Sequence, residues 1–183
     1  MRVPTISPPG VKIDHRSPPV FSVPGCRPAG ALEPTSTRLV SESVSGYSST
    51  PLHRKLGVKA GAQLTLVGCP PGWVIPDLPS AVRCSREPMG TTETTARDLI
   101  IAFYSSQQEM SQSIATLARR IFPDGAIWSA WPRRAGGHES DITERDIRAM
   151  ALPPGLVDVK VAALDEDWSG LRLVWRKENR HTP

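Results

Sequence analysis

The sequence predicts one small α/β domain of Rossmann type over residues 44–183, behind a proline-rich leader over residues 1–43. Leu99 to Tyr104 is almost wholly apolar, which fits a strand covered on both faces. Ser106-Gln107-Gln108-Glu109 then forms a capping box. Met110, Ile114, Leu117, Ala118 and Ile121 follow at helical spacing, giving one apolar stripe. Strands and helices alternate through the rest of the domain, which implies a mostly parallel sheet with right-handed crossovers.

The remaining elements follow in order. Thr50-Pro51 predicts an N-cap and a first helical position, and Gly57 ends that short helix. Gln63 to Val67 reads as a buried strand running into the turn Gly68-Cys69-Pro70-Pro71-Gly72, and Ala81 to Cys84 as a weaker strand. Gly90 to Thr95 reads as a loop. Pro123-Asp124-Gly125 breaks the long helix before a strand from Ala126 to Trp131, and Thr143 to Asp146 caps a helix running to Met150. Two strands close the chain, Leu156 to Leu164 and Leu171 to Trp175, joined by a polar hairpin loop from Asp165 to Gly170. They add one antiparallel strand to a sheet flanked by helices.

The leader carries prolines at 4, 8, 9, 18, 19, 24, 28 and 34 between isolated apolar residues. So little apolar surface cannot offset the entropy of ordering, so the segment is expected to be disordered. A proline-rich ligand for an SH3-like groove is the functional alternative.

No apolar run approaches the roughly 20 residues of a membrane-spanning helix, and the N-terminus lacks the apolar core of a secretory signal. Cys26, Cys69 and Cys84 form no CxxC pair and no ligand cluster with the histidines, which points to a reducing, cytoplasmic setting and to no metal. The net charge of +4 is spread thinly, whereas a nucleic-acid footprint needs basic residues on one face. An RNA-binding accessory is therefore the weakest functional reading.

Candidate sites sit where strands end, because open α/β sheets bind ligands at their carboxyl edge. Gly68 and Gly72 frame a turn of that kind, but Pro70 and Pro71 stand where amide donors would be wanted. Ser85 and Arg86 follow the weak strand, where a ribose-binding acid would be expected. Trp131, Arg133 and Arg134 emerge from a core strand, and a pair of guanidinium forks beside an indole suits a phosphate or carboxylate. Asp141 to Glu144 suits a helix N-terminus better than acid–base catalysis. Asp165-Glu166-Asp167 reads as a solvated hairpin tip without metal-loop spacing. Trp168 on that tip must fold back as a lid or sit at an interface. His53 and His138 have no partner in a Gly-x-Ser-x-Gly elbow, so the residues name no catalytic group.

The order of elements resembles a class I methyltransferase core cut short. A closer resemblance is to a bacterial family, domain of unknown function 3052. It is carried by Gly46-Tyr47-Ser48-Ser49-Thr50-Pro51-Leu52, Pro123-Asp124-Gly125, Trp131-Pro132-Arg133-Arg134, Asp141-Ile142-Thr143-Glu144, Gly155-Leu156-Val157-Asp158-Val159-Lys160 and Asp165-Glu166-Asp167-Trp168-Ser169-Gly170-Leu171. This resemblance implies a bacterial, methyltransferase-like Rossmann domain and no stated reaction. Together the readings favour a non-catalytic domain, without a cofactor, that binds a small anionic ligand or a protein partner. The alternative is a divergent methyltransferase using S-adenosylmethionine.

Relatives of the resembled family start just before the Gly-Tyr-Ser motif, so translation is expected to begin near Val44, with residues 1–43 an annotation extension. Mass spectrometry of the native N-terminus checks this; an intact peptide from Met1 would overturn it.

Overall fold

The computed structural model describes residues 50–181. The expectations for the leader and for residues 44–49 lie outside them. Six strands form one sheet in the order β2-β1-β3-β4-β6-β5: β1 (Gln63–Val67), β2 (Arg83–Glu87), β3 (Leu99–Phe103), β4 (Ala126–Pro132), β5 (Leu156–Ala163) and β6 (Trp168–Trp175). The first four run parallel, and β6 is antiparallel to both of its neighbours, β4 and β5. This is a mixed α/β sheet of Rossmann-like topology with an antiparallel C-terminal hairpin.

The helices are α1 (Leu52–Leu56), α2 (Gln107–Arg120) and α3 (Glu144–Ala151). Pro51 lies one position outside α1, which has no side-chain cap, so the expected Thr50 cap is displaced. Ser106 and Glu109 do form a capping box on α2, and Thr143 with Asp146 forms another on α3. Asp141 serves a different helix from the one expected: its Oδ1 accepts the Gln107 amide of α2 at 2.8 Å. No helix among the described residues is long and apolar enough to cross a membrane.

Both sheet faces are packed, by different means. On one, Met110, Ile114 and Leu117 of α2, Ile121 at its C-cap and Ile147 of α3 meet Ile100, Ile127, Leu171 and Leu173. On the other, Leu56 of α1 and the coil residue Ile75 meet Leu64, Leu66, Ile101 and Trp128. Coil rather than helix covers β1 there, with Leu78 and Val82 packed alongside. Trp128 and Trp175 are buried with their indole N–H groups satisfied, by the Leu56 carbonyl at 3.0 Å and the Ala118 carbonyl at 2.8 Å.

β2 runs Arg83–Glu87 rather than ending at Cys84, so an acid does terminate it. Its pairing explains the shift. Thr65 and Ser85, register partners in β1 and β2, share a hydroxyl contact at 2.9 Å, and Arg97 Nε donates to the Thr65 hydroxyl at 2.7 Å. The Glu87 carboxylate takes both arms of Arg120 from α2, at 2.7 and 2.8 Å, with the Arg120 side chain only 1 % exposed. Apolar periodicity could not announce a strand whose α2-side face is polar.

Removing one partner of a buried ion pair leaves the other uncompensated, at a cost of about 3 kcal/mol or more. Arg120→Met is expected to destabilise by about that amount in urea unfolding, and adding Glu87→Gln should restore part of it. The hydrogen bond from Arg120 holds the Glu87 carboxyl below its ordinary range. A lowered pKa stabilises the fold above the unfolded value and is lost as pH falls through the folded one. The stability difference between the parent and Glu87→Gln should therefore be largest near neutrality and shrink below about pH 4.

Candidate functional site

A crevice of about 510 Å³ opens at the carboxyl ends of β1 and β3. Gly68, which follows β1 at φ +60°, belongs to its wall. A Cβ there would come within 2.8 Å of the Met89 methyl and 3.1 Å of the Phe103 carbonyl oxygen, so only glycine lets β3 and the segment after β2 approach.

The aromatic lining comes from three separated segments. Trp73 follows the turn, Phe103 ends β3 and Trp168 starts β6. Trp73 and Phe103 meet edge to face at 4.8 Å between centroids, and Phe103 and Trp168 at 5.0 Å. β6 begins at Trp168, three residues before the expected Leu171, and that residue is 7 % exposed. It is therefore a wall of the crevice and not a loop-tip residue.

Asp165 ties these segments together. Its Oδ2 accepts the Trp73 indole N–H at 2.5 Å, and its Oδ1 accepts the amides of Asp167 and Trp168 at 2.8 and 2.7 Å. The Asp167 and Glu109 carboxylates also line the crevice. Glu109 already accepts the amides of Ser105 and Ser106, whereas Asp167 faces His138 Nε2 at 3.8 Å. The His138 ring lies 6.0 Å from Trp168. Acidic groups thus outnumber basic ones in the lining.

Among the glycines expected to bind a ligand, Gly68 lines this crevice. Gly72 is a positive-φ corner of the turn with open space around it. The amide of Gly68 is engaged by the Glu87 carbonyl at 3.0 Å. Arg86 latches the turn to β2, donating to the Trp73 carbonyl and, at 3.2 Å, to the Cys69 sulfur. Burial pushes the Cys69 thiol above its usual range despite Arg86, so it is a poor nucleophile at neutral pH.

Trp131, Arg133 and Arg134 do not converge on the crevice. Trp131 is partly buried against the α2–α3 core on the opposite face. The Arg133 amide binds the Asp167 carbonyl at 2.6 Å, and its guanidinium reaches the carbonyls of Asp165 and Glu166 at 3.3 and 3.4 Å. Arg134 is exposed on the 3-10 turn that follows. Sequence reading placed Phe103 in the core and passed over Trp73, Met89 and Glu109 as lining. An indole directly after a Pro-Pro-Gly turn at a strand end was the available signal.

Among solved structures, the fold is similar to a SAM-dependent methyltransferase from Aquifex aeolicus, with a TM-score of 0.51 and 11 % identity over 66 % of this chain and 85 % of that one. A TehB-like SAM-dependent methyltransferase from Corynebacterium glutamicum gives 0.49 and 12 %, over 68 % and 85 %. Aeropyrum pernix fibrillarin, solved with S-adenosyl-L-methionine, gives 0.47 and 16 %, over 64 % and 68 %. No family model and no curated protein matches the chain. The domain therefore has a methyltransferase-like fold, and the first likeness carries that conclusion.

Replacing Asp165 by alanine strands three donors, and each unmet hydrogen bond costs on the order of 1 kcal/mol. Asp165→Ala is expected to lose about 2–3 kcal/mol in urea unfolding, and Trp73→Phe about a third of that. An unchanged midpoint for Asp165→Ala would show that the carboxylate does not hold the crevice together.

Proposed function

We propose that the chain is a divergent methyltransferase that binds S-adenosylmethionine in the crevice at the carboxyl ends of β1 and β3. The observation that carries this reading is the lining: the rings of Trp73, Phe103 and Trp168 beside the Asp167 carboxylate. Aromatic faces and carboxylates attract a cation such as a sulfonium, and flat rings suit a purine. The position agrees with the rule that open α/β sheets bind ligands at this edge. The structural likeness to the Aquifex methyltransferase supports the same fold.

These residues fit the sulfonium better than the polar ends of the molecule. Trp73, Phe103, Trp168 and Asp167 would hold it, and the cofactor would supply an electrophilic methyl group. His138, half-exposed in the lining and facing Asp167, would be the residue to accept a proton from an incoming nucleophile.

A second reading, favoured by a specific observation, is a methyltransferase-like domain that binds without catalysis. Glu87 stands where a ribose-binding acid is expected, but Arg120 occupies both of its oxygens. Pro70 and Pro71 remove two donors from the turn. The likeness to domain of unknown function 3052 is neutral between the readings.

Calorimetric titration with S-adenosylmethionine and S-adenosylhomocysteine tests the proposal. The product lacks the positive charge, so it should bind more weakly, by roughly two- to fivefold for a cation–π contribution of about 0.5–1 kcal/mol. Equal or tighter binding of the product would remove the cation argument. Absence of binding by either would favour the second reading.

A further inference from the structure

The sheet edge opposite the crevice holds a cavity of about 260 Å³. It lies at the amino ends of β1 and β3, between residues 57–62 and the α1-side face of β6, with Arg172 in its wall and Lys59 beside it. Among the described residues, the Arg172 Nε is shut away from solvent with no acceptor and the guanidinium joins no ion pair. His53 Nδ1 of α1 and Arg176 Nε, just past β6, are likewise buried without partners among the described residues, outside the cavity's lining.

The local charge is cationic. Lys160 pairs with Arg172 across β5 and β6 and turns its ammonium to the Lys55 carbonyl at 3.2 Å. Asp98 is the acid in the lining, and its Oδ2 is taken by the Gln63 amide at 2.7 Å. Gly57 and Gly61, both at positive φ, leave the loop open: a Cβ at Gly57 would stay 4.0 Å from Arg172, and one at Gly61 would meet nothing. The Arg172 guanidinium lines the cavity without joining an ion pair among the described residues, so it is available to an acceptor that enters there.

We propose that this cavity binds the phosphoryl group of a small phosphorylated molecule, with Arg172 as the bidentate fork and Lys59 as the second charge. Paired cations suit a dianion better than a single carboxylate. The cavity is separate from the crevice, so the proposal does not depend on S-adenosylmethionine binding.

The test is an NMR titration of the full chain with inorganic phosphate at constant ionic strength, with acetate in parallel. Saturable shifts are expected at the Gly57 and Gly61 amides and at Arg172 Nε–H. Arg172→Lys should weaken binding roughly tenfold, about what one charge-assisted bond supplies. Arg172→Gln should abolish saturation, and Lys59→Ala should weaken it. Diffuse shifts without saturation, acetate binding as tightly as phosphate, or unchanged affinity in Arg172→Gln would each overturn the assignment. Should Arg172→Gln fail to fold, Lys59→Ala decides, because that side chain is exposed; unchanged affinity there would overturn it too.

Discussion

The carboxylate of Asp165 accepts from three donors, and the shape of the crevice follows from where those donors sit. Its Oδ1 takes two successive amides of the hairpin tip, which turns the chain so that β6 starts at Trp168 opposite Pro132. Its Oδ2 reaches across to the Trp73 indole and anchors the coil that follows β1. Phe103, ending the most apolar strand, then has an aromatic neighbour on either side. Arg133 secures the outer side of the same tip through its carbonyls. One satisfied carboxylate thereby joins segments 92 residues apart, without leaving a buried charge unpartnered.

The sheet edge at β2 shows how a short chain closes this fold. A Rossmann sheet ordinarily carries helices on both faces. Here the α1-side face of β1 is covered by coil through Ile75, Leu78 and Val82. The other face of β1 and β2 is polar apart from Val67, through Thr65, Ser85 and Glu87 with Arg97 and Arg120 against them. A polar face needs no apolar cover, so β2 can be an edge strand with largely exposed residues. Bidentate pairing then serves where hydrophobic burial would otherwise act.

Elements whose apolar pattern decides their burial were legible: β3, the stripe of α2, both capping boxes and the closing hairpin. β2 was shifted because its inward residues are polar, and a hydroxyl or carboxylate facing a neighbouring strand looks the same in sequence as one facing water. The start of β6 was placed three residues late because Asp165, Glu166 and Asp167 read as a solvated tip, while Asp165 in fact closes the turn tightly enough to bring Trp168 into the strand. Position in the crevice was legible for Gly68 alone among the turn glycines, since strand ends are visible in sequence. The aromatic wall was not, because Trp73, Phe103 and Trp168 are far apart in sequence and meet only once β1, β3, β4 and β6 lie side by side in the sheet.

The distribution of charge separates the two edges of the sheet. At the carboxyl edge, Glu109, Asp165 and Asp167 face an aromatic wall, and the nearby guanidinium of Arg133 is engaged by carbonyl oxygens. An anion entering there would meet three carboxylates, whereas a cation gains from both the rings and the acids. At the amino edge the order is reversed: Arg172 Nε has no acceptor among the described residues, Lys59 lines the same cavity, Lys160 is the register partner of Arg172, and the Asp98 carboxylate is engaged by a backbone amide. Arginine pairs at strand ends suggest anion recognition from sequence alone, but a guanidinium is available to a ligand only where the fold has not already supplied its acceptors. By that criterion Arg172, inconspicuous within an apolar strand, is better placed to meet an anion than Arg133 in its conspicuous Trp-Pro-Arg-Arg run.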